Sequence, residues 1–119
     1  KAKPNPRAAA GKQAEADATM KEAIALPDAN AGQLTGYGRQ LIRQKRNKEA
    51  MAVFEANNKR FPNNSAALLG MAFGYDANGD KKNALKFAQS ALKAETTPQG
   101  KTQIEGLIKK LEAGESINT

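Results

Sequence analysis

The chain has 119 residues and a formal net charge of +7, from 19 Lys and Arg against 12 Asp and Glu. It contains no Cys, His or Trp, which excludes disulfides, Cys/His metal sites, thiol catalysis and histidine acid–base catalysis from within it. With 39% apolar and 26% charged residues and a mean hydropathy of −0.68, it reads as one soluble domain with an economical core. No apolar run approaches the ~18 residues that a membrane span needs. No apolar stretch near the N-terminus reads as a signal peptide, although a mature domain cut from an exported precursor would read the same.

In chain order, residues 1–10 (KAKPNPRAAA) form a Pro- and Ala-rich arm, in which Pro4 and Pro6 disfavour helix. Residues 12–26 are helical in pattern. Ala16, Met20, Ala23 and Ile24 make a narrow apolar stripe that Pro27 ends, and Asp28 and Asn30 are candidate caps for the next helix. That helix is predicted from about Gly32 to Arg46, on the stripe Leu34, Tyr37, Gly38, Leu41 and Ile42, with Asn47 as a turn residue. A second helix comes at once, carrying Ala50, Val53, Phe54, Asn57 and Phe61 on one face and closed by Pro62. Asn63, Asn64 and Ser65 read as a turn and cap.

Leu68, Met71, Ala72 and Tyr75 then mark a further helix, ended by residues 76–80. Ala84, Leu85, Ala88, Ala91 and Leu92 mark another, broken by Thr96, Thr97 and Pro98. A last helix from about Pro98 to Ala113 carries Ile104, Leu107, Ile108 and Leu111 on one side. Gly114 stops it, and residues 115–119 are expected to fray. No window alternates with period two, so the expected fold is all-α, with six helices and short loops.

The stripes repeat. Leu34, Tyr37, Gly38, Leu41 and Ala50 map onto Leu68, Met71, Ala72, Tyr75 and Ala84, always 34 residues on. A helix–turn–helix unit of this period, with Tyr37-Gly38, Ala50, Phe54 and Pro62 at fixed places, resembles the tetratricopeptide repeat. The match covers residues 31–64 well and 65–97 less strictly; residues 11–30 resemble the second half of a preceding repeat. Residues 98–114 resemble the family's C-terminal capping helix, which shields the apolar flank of the last repeat. The resemblance implies a right-handed α-α superhelix of about two and a half repeats. The runs AEADATMKEAIAL, LTGYGRQLI and GLIKKLEAGESIN are also similar to the C-terminal helical region of some uncharacterised exported bacterial proteins, in which a β-rich domain comes first. That narrower similarity implies a periplasmic or exported location, and without it a cytoplasmic one is expected.

Chemical motifs are weak. Gly36-Tyr37-Gly38 lacks the third glycine and the preceding strand of a nucleotide loop. Asp76, Asn78 and Asp80 are spaced like calcium ligands, but Gly79 comes too early and Phe87 stands where the closing Glu belongs. Asn63-Asn64-Ser65 is a formal glycosylation sequon that a turn and cap explain better. No carboxylate pair or activated serine suggests catalysis, so neither an enzyme nor a cofactor or metal is expected.

The resemblance implies instead a protein or peptide partner in the concave groove lined by the first helix of each pair. The groove positions opposite the core stripes include Thr35, Arg39 and Arg43 in one helix and Leu69, Phe73 and Asp76 in the next, with Gly36, Ala66 and Gly70 as small positions leaving room for a ligand backbone. Arg39 and Arg43, one turn apart, suit an acidic group, and Leu69 and Phe73 an adjoining apolar one. Two alternatives stand beside this. The cation run Arg39, Arg43, Lys45, Arg46 and Lys48 suits nucleic acid or another polyanion, and a purely structural domain would pack on the rest of a longer chain.

Overall fold

A computed structural model describes residues 30–118. The expected arm over residues 1–10, the helix over 12–26 and the partial repeat over 11–30 lie outside the described residues. Those described form five α-helices and no strand: α1 (Ala31–Arg43), α2 (Asn47–Arg60), α3 (Ser65–Ala77), α4 (Lys81–Ala94) and α5 (Pro98–Glu112). None of these helices is long and apolar enough to cross a membrane.

Local chemistry explains the helix starts. Asn30 caps α1 in a reciprocal box: its side chain accepts from the Gln33 amide at 2.8 Å, and its own amide donates to Gln33 Oε1 at 3.0 Å. The Asn64 carboxamide accepts from the amides of Ala66 and Ala67, Asp80 from Asn83 and Thr97 from Gly100. Each satisfies donors that the first helical turn leaves without partners. Pro98 occupies the first turn of α5, where its missing N–H costs nothing.

Three of the five ends, those of α1, α3 and α5, share one pattern. Lys45 takes φ 62°, Gly79 φ 84° and Gly114 φ 79°. The amide after each donates back across the last turn: Arg46 to the Leu41 carbonyl, Asp80 to Tyr75 and Glu115 to Lys110. Lys45, rather than the expected Asn47, is thus the left-handed turn residue, and α1 stops three residues short of Arg46. Asn47 opens α2 instead, and its side-chain amide donates to the Ala77 carbonyl at 3.1 Å, tying the start of α2 to the end of α3. Asp76, expected in the turn after α3, lies within its last turn. Every boundary of the α1–α2 pair recurs 34 residues later in α3–α4, and the left-handed residues Lys45 and Gly79 keep the same interval.

The helix α3 is central, packing on α1, α2 and α4, while α5 packs on α4. Its sequence SAALLGMAFGYDA buries Ala67, Gly70, Met71, Ala72, Phe73, Gly74 and Asp76, so apolar contact surrounds it, as expected of an inner helix. The core pivots on Phe54 of α2, which is fully buried. Its ring sits in a socket made by three glycines. A Cβ at Gly38 of α1 would overlap the ring, one at Gly70 would come within 2.9 Å of it, and one at Gly74 within 2.7 Å. Gly70 faces this core rather than opening a groove for a ligand, and Gly74 completes the socket.

Candidate functional site

Buried polar groups must find partners, and two such groups organise the surroundings of α3. The first is Thr35. Its hydroxyl lies 2.8 Å from the Ala31 carbonyl and 2.9 Å from that of Ala66, and it accepts from Asn57 Nδ2 at 3.1 Å. The same Nδ2 donates to the Ala31 carbonyl at 3.0 Å. This cluster stitches α1, α2 and α3 together, with Asn57 fully buried and Thr35 9% exposed. Thr35 is therefore an internal connector, with its hydrogen-bonding capacity used within the fold.

The second is Asp76 near the end of α3, only 5% exposed. Its Oδ1 accepts from Lys81 Nζ at 2.5 Å. Its Oδ2 accepts from Ser116 Oγ at 2.7 Å, from the Ile117 amide at 3.0 Å and from Asn118 Nδ2 at 2.9 Å. Asn118 Nδ2 also reaches the Phe73 carbonyl at 3.0 Å. Burial pushes the Asp76 pKa up, but the hydrogen bonds from Lys81, Ser116 and Ile117, with the Lys81 charge, outweigh it and hold the carboxyl below its ordinary 3.8. The tail over residues 115–119, expected to fray, is thus docked through residues 116–118. The positive φ of Gly114 turns the chain back onto α3, and Ile117 joins the core cluster of Phe73 and Leu111 at 4% exposure.

Between these two groups lies Phe73, 3% exposed. The Arg39 guanidinium carbon stands 4.3 Å from its ring centroid, a cation–π contact. Phe73 therefore offers no open apolar surface; Arg39 covers its face. Arg39 and Arg43 are both exposed and one turn apart on α1, as their spacing predicts. Leu69 is half-buried and lines a cleft of about 200 Å³ with Ser65, Ala66, Glu95, Gly100, Gln103 and Ile104, between the N-terminal halves of α3 and α5. In that cleft the Thr97 and Thr96 amides hold the Glu95 carboxyl below its ordinary value.

Of the six expected positions, the structure brings Arg39 onto Phe73 and places Asp76 one turn further along the same side of α3. Arg43 continues the cationic edge, Leu69 sits apart in its cleft, and Thr35 points inward. The rest of the cation run is dispersed. Arg46 pairs with Glu49, while Lys45 and Lys48 are exposed at the turn. The residues that look like calcium ligands diverge, for Asp76 faces Lys81 and the tail and Asp80 caps α4. Among the described residues no three acidic, His or Cys side chains group as metal ligands.

Sequence reasoning missed Ser116, Ile117, Asn118 and Lys81. One signal pointed to the first three: an isolated aliphatic residue between two hydrogen-bonding ones, just beyond a glycine stop. Comparison of the chain with protein-family models, with curated proteins and with solved structures gives no match.

Proposed function

We propose that this chain is a tetratricopeptide-like helical-repeat module that binds an extended segment of a partner protein along the side of α1 and α3 bearing Arg39, Arg43, Phe73 and Asp76. The observation that carries this reading is the docked tail. A non-helical segment already lies against α3, with its backbone amide and two side chains bonded to one buried carboxylate. The 34-residue recurrence of helix boundaries supports the repeat architecture. The role is non-catalytic. The titratable groups with displaced pKa values, Asp76, Asp80 and Glu95, each bond to structural partners in this chain.

The exposed pair Arg39 and Arg43 suits an acidic residue of the partner. Arg39 lies over the Phe73 ring, and a guanidinium carries five N–H donors with which to meet an anion. The polyanion alternative draws on the same cations, but they occupy two faces and a turn rather than one stripe.

The test is retention of partner proteins from native extract at about 150 mM salt, by the parent chain and by an Arg39→Glu, Arg43→Glu variant. A protein held by the parent and lost by the variant is the expected result. Equal retention by both removes the groove reading. Retention only of nucleic acid, released steeply by added salt, moves the assignment to polyanion binding.

A further inference from the structure

The Asp76 seat has features that the repeat framework does not require. The position 34 residues earlier is Ile42, a half-buried aliphatic residue, so the helical pair closes without a carboxylate there. A buried carboxylate is tolerated only when its oxygens are fully hydrogen-bonded. Within the helical pairs Asp76 has one such donor, Lys81 on Oδ1. Oδ2 takes its donors from residues 116–118. Beside this oxygen, Phe73 and Leu111 belong to the apolar cluster that takes Ile117. The seat therefore recognises a backbone N–H, a hydroxyl before it, an aliphatic side chain and an amide after it. Four hydrogen bonds and one buried aliphatic side chain hold the tail.

We infer that the seat formed by Phe73, Asp76 and Leu111 is a peptide subsite which the chain's own tail fills, and that the partner segment it takes reads hydroxyl–aliphatic–amide. The order comes from the tail's course. Ser116 lies at Asp76, and Asn118 has moved back along α3 to the Phe73 carbonyl. The inference rests on the groove reading and names the chemistry of its ligand. Because the tail is tethered by a short turn, its local concentration is on the order of millimolar. A free segment must outcompete that, so the unmodified chain is largely closed to weak ligands and open to strong ones.

The test uses the full chain. Ile117→Asp puts a charge in the apolar seat beside Asp76 and releases the tail. The probe is a fluorescent peptide, Gly-Glu-Ser-Ile-Asn-Thr, followed by anisotropy. It is expected to bind the Ile117→Asp chain at least ~10-fold more tightly than the unmodified chain, and to lose that binding when Asp76→Asn is added. A Ser116→Ala, Asn118→Ala chain, which introduces no charge, is expected to gain binding in the same direction. Equal binding to released and unmodified chains overturns the inference, as does the absence of binding up to millimolar peptide. Loss of helical circular dichroism in both tail variants overturns it as well, by making the tail part of the core. A concentration-dependent dimer that Ile117→Asp abolishes assigns the seat to exchange between copies, against the inference. None of these outcomes changes whether Arg39 and Arg43 retain a partner, so the two readings fail separately.

Discussion

The ring of Phe54 occupies the space that a side chain at Gly38 would need. Two residues earlier on the same helix, Gly36 is exposed, and a Cβ there would meet nothing within 4 Å. The two glycines are alike in sequence and opposite in consequence. Gly38→Ala is expected to destabilise the domain by about 1–3 kcal/mol, since an overpacked core outweighs the gain in helix propensity. Gly36→Ala is expected to stabilise it by about 0.5–1 kcal/mol. Urea unfolding of the two variants measures both, and equal signs would remove the socket explanation.

Lys45 holds a left-handed conformation that a Cβ makes costly, while its counterpart Gly79 holds it freely. Lys45→Gly is therefore expected to raise stability by about 1 kcal/mol. Gly79→Ala, which has space but an unfavourable φ, is expected to lower it by a similar amount. Thermal melts of the two variants should move in opposite directions.

Asn57 carries the bond from α2 to both Ala31 and Thr35. Its position in the following pair is Ala91, which is buried and makes no such bridge. Asn57→Ala is expected to cost about 1–3 kcal/mol through lost hydrogen bonds and a small cavity. A double-mutant cycle with Thr35→Val should show coupling, because the two side chains share one cluster.

Asp76 predicts an acid-dependent step. Its folded pKa lies below the ordinary 3.8, so the unfolded chain takes up the proton more readily. The stability it contributes is complete above the unfolded value and is lost as pH falls through the folded one. The urea midpoint should therefore drop below about pH 4 more steeply in the parent than in Asp76→Asn, which already lacks the contribution at neutral pH. Protection of the Ile117 amide from hydrogen exchange should fall over the same range.

Much of the architecture was legible before any tertiary contact was known. Caps such as Asn30 and Asn64, the stops at Pro62 and Gly114, and the apolar stripes act within a turn or two of their own position. They located all five described helices and the 34-residue interval. What the sequence alone misassigned was direction and partnership. Gly70 and Thr35 fell on the groove side of a helical wheel, yet α3 is surrounded, and both residues turn into contacts with α2. Asp76 looked like part of a turn and residues 115–119 like a loose end. Only the packing of α5 on α4, and the reversal at Gly114, brings Ser116, Ile117 and Asn118 to the carboxylate. A local pattern determines which face of a helix is apolar because the helix period is short-range. Which polar group meets which is decided by elements far apart in the chain, through the cost of leaving a buried carboxylate without donors.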